Sequence, residues 1–415
     1  MKKKLQYYTN RLKEQLWFRP FIFCLFSIAA ALIAQFADDT FLKDLVPEIN
    51  KESLSVLLNT ISASMLVIAI FAVASMVSAF SAASSNATPR SFKLVVTDDV
   101  SQNALSTFIG AFIFSIVATV ALKNGFYGKA GHFILFVLTI LIFAAVILTF
   151  LRWVDRISRL GRLSHTIQQV EKTAFTSMSK NLSDPFMGGT AQEKQVTYKG
   201  EACYADKTGY VHTINMEILQ ELAEKENLKL DLSCLPGSFI SFNSPVAYSN
   251  DASPAIKEQI MEAILIENDR NFYDDPRFGI ITLSEIASRA LSPGINDPGT
   301  AIQIIGSMVR LFSVWQKLPA AKPKVLYDRI SVPEIKISDL FTDAFRPIAR
   351  DGAGNIEVMI RLQKGLAVLE AIDHPEIKKQ ARYQSLQAFK RAGIAMDFEA
   401  DIEELRKVML SKTSS

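Results

Sequence analysis

Four long stretches without a formal charge fill the first 151 residues of this 415-residue chain and limit how it can fold. They contain 18, 37, 23 and 22 residues and lie between Arg19 and Asp38, Glu52 and Arg90, Asp99 and Lys123, and Lys129 and Arg152. A helix needs about 20 apolar residues to cross the hydrocarbon core of a bilayer. Because lipid offers no partner for a free backbone N–H or C=O, each stretch must be helical. The sequence therefore predicts four transmembrane helices, at about residues 19–37, 57–84, 101–122 and 131–151.

Basic residues are concentrated on one side of the predicted spans, while Lys43, Lys51, Lys123 and Lys129 lie on the other. The concentrated ones are Lys2, Lys3, Lys4, Arg11, Lys13 and Arg19 before the first span, Arg90 and Lys93 after the second, and Arg152, Arg156, Arg159 and Arg162 after the fourth. The loop between the first two spans instead collects the acids Asp38, Asp39, Asp44, Glu48 and Glu52. Since basic loops stay in the cytoplasm, the pattern predicts a multi-pass protein of the bacterial inner membrane. Both termini and the C-terminal half are expected in the cytoplasm.

The interior of the predicted spans is free of Asp, Glu, Lys and Arg. Ion-coupled transporters usually keep such a group within the membrane, so this composition argues against a coupled transporter and leaves a passive channel open. The second span also carries a line of small residues at helical spacing, namely Ser62, Ala69, Ala72, Ser75, Ala79 and Ala82. Such a line lets another helix approach closely. It predicts packing within the bundle, packing between subunits, or a pore lined by the hydroxyls of Ser75, Ser78 and Ser81.

The residues after the fourth span divide by pattern into three regions. Residues 152–194 begin with a basic, amphipathic stretch and end in a polar linker, which predicts a helical lever that continues the fourth span. Residues 195–250 carry short β-type runs broken by glycine, proline and asparagine, which predicts a small β-rich module. Residues 251–415 have the periodicity of helices. The predicted fold class is an α-helical membrane protein with a cytosolic α+β region, in which the β-rich module precedes a helical domain.

The break between two predicted helices at residues 292–301 has the richest local chemistry of the C-terminal half. It contains Ser292, Asn296 and Asp297 together with two prolines and two glycines. One interpretation is purely structural, with Asp297 as the N-cap of the next helix and a proline in its first turn. In the other, Arg289, Asn296 and Asp297 converge with Asp275 and Arg277 on a helix N-terminus and bind an anion or a metal ion. The sequence leaves both interpretations open.

Several segments resemble a widespread bacterial family described only as predicted membrane proteins of unknown function. The resemblance rests on Ala290-Leu291-Ser292-Pro293-Gly294-Ile295-Asn296-Asp297-Pro298 with Thr300-Ala301, on Thr88-Pro89-Arg90, on Gly209-Tyr210-Val211, on Pro236-Gly237-Ser238-Phe239-Ile240, and on Asp275-Pro276-Arg277-Phe278-Gly279-Ile280. Gly299 and Ser238 depart from the bulkier residue and the aspartate that are usual in that family. The resemblance covers most of the chain and implies no particular activity.

Other motifs narrow the possible functions. The sequence has no phosphate-binding loop, no dinucleotide fingerprint and no catalytic motif of a metalloprotease or serine hydrolase. Its four histidines are dispersed, so we expect no metal site and no cofactor. The net charge is +3 and there is no basic stripe, so we expect no nucleic-acid partner.

Three functional classes remain. They are a homo-oligomeric, channel-like or transport-type protein with a cytosolic regulatory domain, a membrane-anchored scaffold or sensor, and a membrane-anchored enzyme using Asp275, Arg289, Asn296 and Asp297. Because no nucleophile or base is recognisable, the enzyme is disfavoured. The channel-like class is our prediction, the scaffold or sensor is its alternative, and the expected partners are the lipid bilayer and further copies of the chain. The small-molecule or ion ligand stays unidentified.

Overall fold

The computed structural model describes residues 17–34, 46–92, 94, 99–192, 200–251, 253–317 and 324–410. The chain is mostly helical and divides into two compact units, Met1–Thr166 and Ile167–Ser415.

The described residues of the first unit form four apolar helices. They are α1 (Phe18–Ile33), α2 (Lys51–Asn86), α3 (Asp99–Lys123) and α4 (Lys129–Leu160), with a short 3₁₀ turn at Pro89–Ser91 after α2. By length and composition, α2, α3 and α4 are able to cross a membrane, whereas α1 is apolar but has only 16 residues. The expected span at 19–37 ends outside the described residues. Within the described residues, three helices are thus candidate spans, and the sequence predicts four.

Helix α3 forms the centre of the first unit. Of its most apolar window, 56% is buried, compared with 28% for α2 and 17% for α4. Small side chains such as Ala104, Ala111 and Ala118 are buried along α3 and let the other helices approach its backbone. The buried Ser106 donates a hydrogen bond to the Gln102 carbonyl of the same helix at 2.7 Å, which satisfies its hydroxyl without another helix.

The second unit combines helices with two small sheets. Its helices are α5 (Leu163–Ser183, which begins four residues before the unit boundary), α6 (Met216–Lys225), α7 (Pro254–Ala263), α8 (Pro276–Ala290), α9 (Pro298–Phe312), α10 (Val314–Lys317), α11 (Ile337–Asp351), α12 (Ile356–Glu370), α13 (Pro375–Ala395) and α14 (Glu399–Leu410). Its strands are β1 (Thr190–Ala191), β2 (Glu201–Tyr204), β3 (Gly209–Ile214), β4 (Leu230–Leu232), β5 (Phe239–Ile240), β6 (Pro245–Ser249), β7 (Ile264–Glu267) and β8 (Ile330–Val332).

The two sheets reach beyond the β-rich region expected at residues 195–250. The first sheet has the order β1-β8-β4-β6-β2, and the second has the order β5-β3-β7. Strands β1, β7 and β8 come from segments that the sequence assigns to the linker and the helical domain. Strand β8 lies parallel to β4, so the chain passes through several helices before it returns to the sheet. Local sequence pattern carries no sign of such a distant pairing.

The helix that the sequence predicts to continue from the fourth span is interrupted. Helix α4 ends at Leu160 and α5 begins at Leu163, so Gly161 and Arg162 separate two helices where the sequence predicts one lever. Glycine is a poor helix former. A Cβ at Gly161 would lie 3.5 Å from the Ala82 Cβ, so the glycine also sits close to the end of α2.

Both cysteines of the second unit lie in the core that the two sheets share with α6 and α7. Cys203 is fully buried and Cys234 is 2% exposed, among apolar neighbours such as Val246 and Ile240. Burial raises the pKa of the Cys234 thiol to about 12. Because the thiolate is the reactive form, Cys234 should react only when this core opens.

Candidate functional site

The turn at residues 292–301 connects α8 to α9 and is held by its own hydrogen bonds. The Ser292 hydroxyl donates to the Arg289 carbonyl at 2.7 Å, and the Asn296 N–H donates to the Ser292 carbonyl at 2.9 Å. Asn296 adopts a φ of 50°, a left-handed conformation that asparagine tolerates better than most residues. The Asp297 N–H donates back to the Ala290 carbonyl at 2.8 Å. These bonds close the turn without a ligand.

Asp297 caps α9 with both of its carboxylate oxygens. Oδ1 accepts the Thr300 N–H at 3.1 Å, and Oδ2 accepts the Thr300 hydroxyl at 2.5 Å. Arg289 has an exposed side chain, and the structure records no ion pair between these two described residues, Arg289 and Asp297. The observed geometry is that of a helix cap, the structural alternative for this turn.

Removal of this cap gives a first test. Asp297→Ala is expected to lose about 1 kcal/mol of stability, whereas Asp297→Ser should stay near the wild-type value because serine keeps an acceptor oxygen. The thermal midpoint and the oligomeric mass of each purified variant are the measurements. Asn355→Ala is a matched control, since Asn355 caps α12 through the Val358 N–H at 2.9 Å. If Asp297→Ser is impaired as strongly as Asp297→Ala, the charge of Asp297 has a role beyond the cap.

Asp275 and Arg277 lie at the opposite end of α8 from this turn. Helix α8 begins at Pro276, and Arg289 is in its last turn. At 1.5 Å per residue, Arg277 and Arg289 are separated by about 18 Å along the helix axis. The six residues that the sequence proposes as one candidate site therefore form two separate groups, one at each end of α8.

Asp275 is at the centre of a buried ion pair. Its side chain is 1% exposed and that of Arg270 is 16% exposed, and the Arg270 Nε lies 2.6 Å from the Asp275 Oδ2. The other oxygen accepts the Arg277 N–H at 3.0 Å, which makes Asp275 the N-cap of α8. Burial raises the pKa of Asp275, and the hydrogen bonds from Arg270 and the Arg277 N–H oppose that rise without cancelling it. The Arg270 guanidinium also lies over the rings of Tyr210 and Phe278, 5.7 and 5.4 Å from their centroids.

A glycine turn from the β-rich region packs directly on this carboxylate. Gly237 has a φ of 90°, and a Cβ built on it would lie 2.3 Å from the Asp275 Oδ2. The Gly237 N–H donates to the Val211 carbonyl at 2.8 Å, which fixes the turn against β3. Three of the segments that carry the family resemblance, at 209–211, 236–240 and 275–280, therefore meet at one point. We call Gly237, Arg270 and Asp275 the motif junction.

Arg277 extends this group of charges to α11. Its Nε donates to the Asp343 Oδ2 at 2.8 Å, and its Nη1 lies 3.4 Å from the Asp339 Oδ2. Burial alone would lower the pKa of Arg277, but the two carboxylates outweigh burial, so the pKa is raised. The guanidinium stays charged and ties the start of α8 to α11.

The small-residue line of α2 faces partly into the first unit. Ala69 and Ala72 are buried in a cluster with residues of α3 and α4, whereas Ser62, Ser75, Ala79 and Ala82 are half-buried. Ala79 and Ala82 lie beside Gly161. For these residues the geometry fits packing within one chain, the first alternative from the sequence.

A second line of small side chains on α2 is left exposed among the described residues of the first unit. Ala74, Ser78, Ser81 and Ser85 are exposed at spacings of four, three and four residues. The sequence predicts Ser78 and Ser81 as pore candidates and does not single out Ala74 or Ser85. We call these four residues the uncovered line. The signal was present in the helical spacing, but only the packing of α3 and α4 shows which face of α2 stays open.

The uncovered line lies in the second half of α2. The rings of Phe71 and Phe108 both pack edge-on against the buried Trp153, at centroid distances of 6.1 and 6.3 Å. The 20 residues from Lys51 to Phe71 span about 30 Å. Residues Ala74 to Ser85 follow them toward the end of α2.

Within the described residues, no group of three or more His, Cys, Asp or Glu side chains is placed to hold a metal ion. Asp275 and Asp297 are the acids that the sequence singles out, and internal hydrogen bonds engage both oxygens of each. A ligand at either carboxylate would have to displace these bonds.

Comparisons with known proteins show which family and which proteins the chain is similar to. A family model described as Predicted membrane protein (DUF2254) matches residues 13–368 of the chain. Two similar curated proteins are an uncharacterized protein of Mycobacterium bovis and an uncharacterized protein of Mycobacterium tuberculosis, each 27% identical over 117 residues. The aligned segment covers 26% of this chain and 22% of each relative, so the chain matches about a fifth of their length. No solved structure matches the chain.

Proposed function

We propose that this chain, which belongs to the DUF2254 family of predicted membrane proteins, assembles into a homo-oligomeric, channel-like or transport-type protein of the bacterial inner membrane. In this proposal the second unit is cytosolic and regulates the assembly. The orientation rests on the basic residues at the end of α4, since Arg152, Arg156 and Arg159 follow an uncharged stretch of 22 residues.

The observation that carries this proposal is the uncovered line on α2. Exposed side chains elsewhere on the same helix include large apolar ones, such as Val67 at 67% and Ile70 at 63% exposure, as expected for contact with lipid. The uncovered line instead presents small and hydroxyl-bearing side chains. Such residues at a helix surface favour close contact with another helix or with water. A second copy of α2 would provide the close contact with another helix, and an aqueous path between copies would provide the contact with water.

A leucine on the uncovered line tests the assembly. Ser78→Leu is expected to weaken self-association about tenfold or more, because overpacking a close helix contact typically costs about 1–3 kcal/mol. Val67→Leu is the matched control on the same helix, where a larger side chain faces lipid. The oligomeric mass in detergent is measured by light scattering over a range of protein concentrations. An unchanged mass for Ser78→Leu would rule out contact between copies at this line.

A measurement of solute flux distinguishes a channel-like assembly from an assembly that has no aqueous path. Reconstituted wild-type protein should release small solutes from liposomes, and Ser78→Leu should reduce the release in parallel with the loss of oligomer. If the oligomer forms but no solute passes, the channel-like part of the proposal is wrong and the assembly is a scaffold.

The second candidate function is a membrane-anchored scaffold or sensor. It is favoured by the size of the second unit, which holds 249 of the residues, from Ile167 to Ser415. A membrane-anchored enzyme using Asp275 or Asp297 is the weakest candidate, because the oxygens of both carboxylates already accept internal hydrogen bonds.

A further inference from the structure

A polar groove lies between α8 and α11 in the second unit. Its volume is about 350 Å³, and its lining includes Ser284 and Ser288 from α8 together with Thr342, Arg346 and Arg350 from α11. Known small-molecule sites begin at about 300 Å³ and place a few convergent polar groups in a concave surface. This groove meets both conditions.

The groove has one guanidinium that makes no ion pair with a carboxylate of the described residues. Arg346 and Arg350 are one helical turn apart, and the Arg350 Nε is bound to Asp351 at 2.6 Å. Asp343, an acid in the same lining, is bound by the Arg277 Nε at 2.8 Å. Arg346 is exposed and has no ion pair within the described part of the chain. A planar guanidinium in this position is suited to bidentate contact with an oxyanion.

A buried hydroxyl points to a ligand independently of the charge. Ser284 is 1% exposed, lines the groove, and has a hydroxyl without a hydrogen-bond partner among the described residues. An unsatisfied buried hydroxyl is unfavourable, so an oxygen atom in the groove would supply the missing bond. Pro347, also in the lining, has no N–H and leaves the Asp343 carbonyl without its usual partner in the helix. The Ser284 hydroxyl is therefore a donor available at the groove wall.

We propose that this groove binds a small, water-soluble metabolite through its phosphate group. Arg346 binds the phosphate oxygens, and the Ser284 hydroxyl donates to the same group. Glu285 also lines the groove and has a contact of its own. An acid at this position favours a ligand that carries a hydroxyl or amino group beside the phosphate, so a phosphate monoester fits better than inorganic phosphate. This site does not depend on the channel-like assembly.

Calorimetric titration of the full chain in a neutral detergent tests the site. The probes are AMP as a phosphate monoester, adenosine as its counterpart without phosphate, and inorganic phosphate. AMP is expected to bind, inorganic phosphate more weakly, and adenosine at least tenfold more weakly than AMP. Arg346→Gln should weaken AMP binding about tenfold or more, the loss typical of one charge-assisted hydrogen bond. Ser284→Ala should weaken it several-fold.

Controls define what would overturn the proposal. Arg361→Gln removes an exposed arginine of α12 outside the groove lining and should leave AMP binding unchanged. Equal AMP affinity of wild type and Arg346→Gln, or equal binding of AMP and adenosine, would overturn it. A short-chain phosphatidylglycerol below its micellar concentration tests a lipid headgroup as the source of the phosphate. The proposal predicts that this lipid does not displace AMP, and displacement would overturn the assignment to a soluble ligand.

Discussion

Asp275→Ala is expected to lower the free energy of unfolding of the second unit by about 3–5 kcal/mol, because it leaves a buried arginine without its counter-ion. Arg270 is only 16% exposed, and its Nε lies 2.6 Å from the carboxylate that the substitution removes. The same change removes the N-cap of α8, because the Asp275 Oδ1 accepts the Arg277 N–H at 3.0 Å. Both losses destabilise the folded state, so the effect should be among the largest of any single substitution in the chain.

Thiol labelling reports this effect from within the second unit. Cys234 is 2% exposed, and its pKa of about 12 leaves almost no thiolate in the folded protein at neutral pH. Its modification in increasing urea, followed by mass spectrometry, measures the opening of the core around it. Asp274→Ala is the matched control, since the neighbouring Asp274 is 30% exposed and pairs with the 67% exposed Lys180. That surface pair should contribute at most about 1 kcal/mol. Equal urea midpoints for the two variants would contradict the assigned importance of the Asp275 pair.

The apolar helices are the part of the fold that the sequence predicts best. Charge is excluded from hydrocarbon, so an uncharged stretch marks a span without knowledge of its neighbours. The stretches after Glu52, Asp99 and Lys129 correspond to α2, α3 and α4. Which face of a span is covered depends on the other helices. For that reason the sequence predicts the line through Ala69 and Ala72, whereas the uncovered line is defined only by the positions of α3 and α4.

The motif junction shows why the candidate site was harder to predict. Gly237 and Asp275 are 38 positions apart in the sequence, and no periodic pattern relates them. The sequence groups Asp275 and Arg277 with Asp297 because they lie near one another along the chain, but α8 separates its two ends by about 20 Å. The N-caps at Asp275 and Asp297 were within reach of local reasoning, because a cap acts within three residues. The partners Arg270 and Asp343 required the tertiary structure.

Gly237→Ala is expected to destabilise the second unit by about 2–5 kcal/mol, the sum of a left-handed backbone penalty and a steric clash. The φ of 90° at Gly237 is unfavourable for any residue with a Cβ. That Cβ would also lie 2.3 Å from the Asp275 Oδ2. The carboxylate has little freedom to move away, because Arg270 and the Arg277 N–H hold both of its oxygens. Gly294→Ala is the matched control, since a Cβ there meets nothing within 4 Å. The urea midpoint of Cys234 labelling is again the measurement.

A double-mutant cycle separates the two contributions at Gly237. In the Asp275→Ala background the clashing carboxylate is gone, so Gly237→Ala should cost only the backbone penalty of about 1–2 kcal/mol. The cost in the wild-type background should exceed this by about 1–3 kcal/mol, the steric share. Residues in direct contact couple in this way, whereas independent residues add within about 0.5 kcal/mol. Additive free-energy changes would mean that the turn moves to relieve the clash, and that glycine is required at position 237 only for its positive φ. Strong coupling would mean that the close approach of backbone to carboxylate is what requires glycine at position 237.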